Sequence, residues 1–157
     1  MKMNHLCLYK YSEILIESRV AEKQKEAIKY IRRIISKGNA FEFIENSTIY
    51  DIFSKDPCEI YSKTLALYGK MLYYGFLVPK DKVKAIEYLK KSIELNNNDS
   101  IYLYAKILFK NDDDESINKV VEYLILLISR GYKKAEKFVL KYFRRFLNSQ
   151  NESLFSK

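Results

Sequence analysis

A five-residue pattern recurs three times in this chain of 157 residues. It reads tyrosine, a small residue, any residue, isoleucine or methionine, and leucine, and its copies begin at Tyr11, Tyr68 and Tyr104. Each copy is followed at a nearly constant distance by an apolar pair and a second tyrosine; these tyrosines are Tyr30, Tyr88 and Tyr123. Self-similarity with a period of about 35 residues is typical of an array of helix pairs. The repeat therefore predicts an all-α fold in which these six tyrosines hold equivalent structural positions.

The second position of the pattern is small in all three copies: Ser12, Gly69 and Ala105. A glycine inside a helix costs about 1 kcal/mol relative to alanine. We expect the close approach of a neighbouring helix to offset that cost, with all three small residues at interhelical contacts.

The most regular unit runs from Tyr61 to Asn96. Apolar residues at helical spacing predict its first helix. Pro79 is predicted to end that helix and Asp81 to cap the second one. Asp99 or Ser100 is then expected to cap the helix that follows.

This unit resembles a SEL-one-like repeat, a relative of the tetratricopeptide repeat. The matching residues are Gly69, Tyr73, Gly75, Val78, Pro79, Lys80, Asp81, Lys84, Ala85, Tyr88 and Lys91. The chain departs from the family pattern at Leu77, where the family has glycine, and at Ile93, where it has alanine. One clear repeat (68–96) and two degenerate ones cover about two thirds of the chain. The resemblance implies a short right-handed superhelix of helix pairs.

We expect a single helical repeat domain over residues 1–150. Its parts are repeats at about 4–38, 61–97 and 98–131, an inserted helix at about 40–55, and a capping helix at 132–148. Residues 149–157 are expected to be a disordered tail. The insertion has two interpretations: a partner surface specific to this protein, or a repeat that has lost half of itself.

The net charge of +8 is concentrated near the C-terminus. Between Arg130 and Arg145, seven basic residues stand against one acid, Glu136. Six of them form a basic stripe, the candidate partner-binding residues Lys133, Lys134, Lys137, Lys141, Arg144 and Arg145. The stripe is either a charged face that keeps the last helix soluble, or a docking site for an acidic protein surface or RNA phosphates.

Tyr73 and Tyr74 follow the apolar stripe of the first helix of the clear repeat. We expect one of the two to point away from the core, toward the concave side where helical solenoids take their ligands. That tyrosine is a second candidate contact.

The sequence gives little support for catalysis or for a bound cofactor. Its single histidine is His5, and it has no glycine-rich phosphate loop and no HExxH or CxxC motif. The acidic run at 112–115 lacks the spacing of a calcium loop and is interpreted as a turn that caps the next helix. We expect Cys7 and Cys58 to be reduced and buried rather than bridged. With no secretory signal or membrane span in view, we expect an intracellular, most simply cytoplasmic, protein.

Two functions remain in competition. Similar repeats serve as adaptors, so the resemblance implies a non-enzymatic scaffold that binds another protein. The alternative is a small basic subunit bound to a ribosome or another ribonucleoprotein through the C-terminal basic helix. Salt dependence separates the two, because each phosphate contact with RNA adds to the slope of affinity against salt.

Overall fold

The computed structural model describes residues 5–38, 57–111 and 113–142. These residues form seven helices and no strands, which confirms the prediction of an all-α protein. The helices are α1 (His5–Glu17), α2 (Ala21–Gly38), α3 (Pro57–Tyr74), α4 (Lys82–Glu94), α5 (Asn98–Leu108), α6 (Asp114–Ser129) and α7 (133–142). The predicted insertion at 40–55, the last part of the predicted capping helix and the tail at 149–157 lie outside the described residues.

The chain divides into two compact units, Met1–Ser100 and Ile101–Lys157. In the first unit, α1 packs against α2 and α3 against α4. One apolar cluster of this unit joins α1, α2 and α3 through Leu8, Tyr9, Ile34 and Ile60.

The recurring tyrosines meet in the same way in three helix pairs. Ring centroids lie 5.7 Å apart for Tyr11 and Tyr30, between α1 and α2. The distance is 5.2 Å for Tyr68 and Tyr88, between α3 and α4. It is 6.1 Å for Tyr104 and Tyr123, between α5 and α6. Tilted and edge-to-face contacts in this range are the favourable aromatic geometries. The sequence repeat thus corresponds to a repeated side-chain contact.

The small residues occupy buried positions. A Cβ added to Gly69 would lie 3.1 Å from Leu89 Cγ and 3.2 Å from the Ala85 carbonyl oxygen of α4. The predicted close approach at this glycine is therefore confirmed. Ser12 and Ala105 are also buried.

The turn from α3 to α4 differs in part from the prediction. Helix α3 ends at Tyr74, five residues before Pro79, because Gly75 takes a left-handed conformation (φ 73°) and the Phe76 N–H returns to the Met71 carbonyl. Leu77 is also left-handed (φ 61°), the conformation that glycine adopts most readily. The position where the resemblance expects glycine thus keeps a glycine-like backbone.

The helix caps confirm one prediction and correct another. Asp81 accepts a 3.0 Å hydrogen bond from the Lys84 N–H and caps α4 as expected. In α5, however, the Ser100 N–H donates to Asn97 Oδ1, so Asn97 and not Asp99 or Ser100 occupies the capping position. Ser100 is instead committed to the core, where its hydroxyl donates to Ser92 Oγ at 2.8 Å.

The cysteines also differ from the prediction. Cys7 and Cys58 are both exposed, and no disulfide joins them. The buried face of α1 consists of Leu8, Tyr9, Ser12 and Leu15, and Cys7 lies beside that face rather than on it. Burial was therefore the wrong expectation, although the thiols are not bridged.

Candidate protein-docking groove

Helix α6 is apolar on two faces. Its inner face, with Val120, Leu124 and Leu127, is buried. A second row, called here the outer row of α6, follows at spacings of three and four residues; it consists of Ile117, Val121, Ile125 and Ile128. These side chains are exposed by 36 to 62%. A contiguous apolar surface of this kind on a folded unit is typical of an interaction site.

The outer row forms one wall of a groove between α6 and α7. The groove has a volume of about 410 Å³, and its lining is apolar and aromatic throughout. Val139 and Tyr142 belong to the α7 wall. At one end, Tyr142 packs against Phe109 and Phe138 with ring centroids 4.4 Å apart in each pair. These aromatic contacts hold the side chains in place at that end of the α6–α7 groove.

The repeat register explains why this wall is unusual. Two residues after the recurring second tyrosine, α2 has Arg32, α4 has Lys90 and α6 has Ile125, and all three side chains are exposed. In the first unit, Arg32 Nε donates to the Tyr68 hydroxyl at 3.1 Å, so this position meets the first helix of the next pair. The guanidinium also lies 6.0 Å from the centre of the Tyr68 ring. In α6, an aliphatic side chain replaces these cations.

Helix α7 begins in the same way as α5. The residue after the C-cap is left-handed at both junctions, Asn96 (φ 59°) before α5 and Gly131 (φ 70°) before α7. Counting from these residues places Val139 in the register of Tyr104, and Leu140 in the register of Ala105. Helix α7 therefore corresponds to the first helix of a pair.

The second helix of that pair is missing from the described residues. The equivalent small residues Ser12, Gly69 and Ala105 are buried in their pairs, whereas Leu140 is 55% exposed. Val139 beside it is 38% exposed. In α3 the equivalent face packs against α4. In α7 this face is exposed to solvent.

Charged side chains of both signs lie one helical turn from lining residues of the groove. Asp114, Glu122 and Glu136 each precede a lining residue (Ile117, Ile125 and Val139) by three positions, so each lies one helical turn from the apolar surface. All three are exposed. Lys134 and Lys141 are exposed too and lie one turn from Phe138, so the border is of mixed charge.

The basic stripe runs along one side of α7. Its described members, Lys133, Lys134, Lys137 and Lys141, are all exposed. Lys137 and Lys141 are each two residues from Val139, which places them about 200° around the helix from it. Arg144 and Arg145 lie outside the described residues. Lys134 and Lys141, however, lie four and three residues from the lining residue Phe138, so part of the stripe borders the groove.

The candidate tyrosines of α3 differ in exposure. Tyr73 is buried, at 9% exposed, while Tyr74 is 53% exposed, and their rings meet edge to face at 5.1 Å. Tyr74 is thus the residue of the pair that points outward. Neither residue is part of the α6–α7 groove.

The shifted pKa values of the described residues have structural causes. Hydrogen bonds from the side chain and backbone N–H of Ser116 lower the pKa of Asp113, the N-cap of α6. A hydrogen bond from the Lys84 backbone lowers the pKa of Asp81 in the same way. Burial raises the pKa of Tyr9 and of Tyr123. Each of these groups belongs to a cap or to the packing.

Metal chemistry finds no support in the part of the chain that the structure describes. No group of three or more His, Cys, Asp or Glu side chains there could hold a metal ion. The interpretation of 112–115 as a capping turn is consistent with Asp113, which caps α6. No helix in the described ranges is both long and apolar enough to cross a membrane.

Sequence reasoning missed the groove, although the signal was present. The alignment of Val121 and Tyr123 with the other repeats did not extend to the second and third residues after that tyrosine. There, Arg32 and Arg33 of α2 and Lys90 and Lys91 of α4 give way to Ile125 and Leu126. An aliphatic pair at two positions that are otherwise basic indicates an apolar outer face.

Comparison with known proteins adds no relative to this description. No protein-family model, no curated protein and no solved structure matches the chain.

Proposed function

We propose that this protein is a non-enzymatic interaction module, a scaffold or adaptor of SEL-one-like helix pairs that binds another protein through its α6–α7 groove. The observation that carries the proposal is the exposed outer row of α6. Burying a side chain such as isoleucine contributes about 1.5–3 kcal/mol. A partner that covers this row therefore gains more than it could from the surrounding polar surface.

The equivalent tyrosine contacts of three helix pairs support the repeat part of the proposal. A stack of such pairs buries a continuous core and leaves its terminal face to a capping element. Helix α7 is the last helix of the described residues, and its Val139 and Leu140 are exposed. An exposed apolar face of this kind favours coverage by a partner.

A displayed library of helical peptides tests the proposal while the natural partner is still unidentified. We expect selection against the 157-residue chain to yield binders that lose affinity for the Ile125→Lys variant. The matched control is Lys90→Ala, which removes the side chain at the equivalent position of α4. Binders that respond to neither change, or a selection that yields none, would contradict the groove as the docking surface.

The basic stripe favours a second candidate function, attachment to a ribonucleoprotein. Four lysines of the stripe are exposed on one side of α7, as phosphate contacts require. If RNA binds there, the logarithm of affinity should fall with the logarithm of salt, by about 0.7 to 0.9 per contact. Reversing the charge of Lys137 and Lys141 should then abolish RNA binding. A flat salt response with total RNA would refute this alternative.

A further inference from the structure

We infer that the occupant of the α6–α7 groove is the same face of a second copy of this chain, with α6 of each copy set against α7 of the other in a two-fold symmetric dimer. This inference rests on the proposed function, protein binding at the groove, and names the partner. Two observations carry it. The shape of the face is complementary to itself, and its two helices have opposite charge.

The shape of this face combines a ridge with a groove. The outer row of α6 projects Ile125, which is 62% exposed, beside a groove of about 410 Å³ with an apolar and aromatic lining. Rows of side chains at spacings of three and four residues are the ridges that pack into grooves on other helices. A two-fold contact uses both features twice, because it sets the ridge of each copy in the groove of the other.

Helices α6 and α7 carry opposite net charge. Within its bounds, Asp114–Ser129, α6 has three carboxylates and one lysine. Its caps, Asp113 and Arg130, add one charge of each sign. Within 133–142, α7 has four lysines and one carboxylate, Glu136. Net charge is therefore negative on α6 and positive on α7.

This division of charge determines which arrangement of two copies is favourable. Asp114 and Glu122 lie one turn from lining residues of α6, and Lys134 and Lys141 lie one turn from Phe138 of α7. Contact of α6 with α7 of the second copy brings carboxylates near lysines in both halves of the interface. Contact of α6 with α6 would bring like charges together, which weakens binding. The mixed border therefore suits this chain as its own partner.

Sedimentation equilibrium of the 157-residue chain tests the second copy. We expect a reversible equilibrium between monomer and dimer. Ile125→Lys should raise the dimer dissociation constant by about tenfold or more, because it places a cation in the apolar contact. Lys90→Ala, the matched change at the equivalent position of α4, should leave the constant unchanged.

An exchange of charges tests the arrangement of the two helices. One variant carries Asp114→Lys and Glu122→Lys, and the other carries Lys134→Glu and Lys141→Glu. Each variant alone should dimerise about tenfold more weakly than the native chain at low salt, because its α6 and α7 then have like charge. An equimolar mixture should regain the native dissociation constant, because the altered α6 then meets the altered α7 and the native α6 meets the native α7.

The outcomes distinguish this inference from the proposed function. A chain that stays monomeric at every concentration would overturn the second copy, while the displayed library would still decide protein binding at the groove. A dimer that Ile125→Lys leaves intact would overturn this face as the interface. A mixture no tighter than either charge variant alone would overturn the contact of α6 with α7. Because Ile125→Lys changes one exposed side chain, it decides the interface independently of how the charge variants fold.

Discussion

Helices α4 and α6 are second helices of their pairs and share the tripeptide Glu-Tyr-Leu at the same register, 87–89 and 122–124. Both are capped by an aspartate, and in both the tyrosine contacts the tyrosine of its own first helix. The two sequences differ from the next residue onward. Lys90 and Lys91 follow in α4, whereas Ile125 and Leu126 follow in α6, and all four are exposed. One local fold thus supports a solvated outer face in one unit and an apolar outer face in the other.

The repeats differ in whether a described side chain of a neighbouring helix contacts this outer position. At the end of α2, the outer position is closed by Arg32, which bonds to Tyr68 of the following helix. At the end of α6, the equivalent Ile125 shares an open groove with Val139. The inner faces differ as well, since the buried Ser92 of α4 corresponds to the buried Leu127 of α6. This inner register thus holds a hydrogen-bonded serine in the first unit and an aliphatic side chain in the second.

The largest loss of stability should come from a larger side chain at the contact between α3 and α4. Gly69→Leu would drive a side chain into Leu89 and the Ala85 carbonyl, so we expect the free energy of unfolding to fall by about 3 kcal/mol. Urea denaturation followed by circular dichroism measures this change.

The control for that variant is a substitution at Leu140, the equivalent repeat position in the second unit. Leu140→Ala removes an exposed side chain and should change the free energy of unfolding by less than about 0.5 kcal/mol. If Gly69→Leu proved as mild as Leu140→Ala, α3 and α4 would not be in close contact at this glycine, and the comparison would fail.

A smaller loss should follow from Ser92→Ala. The Ser92 hydroxyl donates to the Ser62 carbonyl at 2.7 Å and accepts from Ser100, and all three residues are buried. Its removal leaves the Ser100 hydroxyl without its acceptor, which should cost about 1 to 2 kcal/mol. Ser36→Ala, at an exposed serine of α2, should be close to neutral when both variants are measured by urea denaturation. Equal losses in the two variants would argue against a structural role for the buried serines.

Much of the fold follows from the sequence, because tyrosine spacing and small residues report on contacts within a helix pair. The pairing of Tyr68 with Tyr88 and the close contact at Gly69 are local consequences of helical periodicity. The end of α3 was misplaced because Gly75 acts through its backbone conformation, whereas Pro79 is merely the more conspicuous residue. The groove was missed because it depends on which faces remain uncovered after packing. Helical periodicity predicts which face of α6 is apolar. Only the structure shows that none of the described residues covers Ile125.

Acid should affect the two units alike, since their second helices begin in the same way. The pKa values of Asp81 and Asp113 are lowered in the folded state, so their contribution to stability is present above the unfolded carboxyl pKa of about 3.9 and is lost as the pH falls through the folded values. Asp81→Asn and Asp113→Asn keep a capping oxygen that cannot titrate. Each variant should make the melting temperature less dependent on pH below about 4. A steeper dependence in either variant would contradict this role of the caps.

The smallest effect on stability should come from the substitution with the largest expected effect on binding. Ile125→Lys gives α6 the residue that α4 already carries at this register, on a surface that is 62% exposed. We expect the free energy of unfolding to change by less than about 0.5 kcal/mol, because little buried apolar area is lost. A loss of about 2 kcal/mol or more, the range of a buried aliphatic residue, would mean that another part of the chain covers the groove. The reciprocal Lys90→Ile should likewise keep the fold while reducing solubility, since it would place an exposed aliphatic side chain on α4.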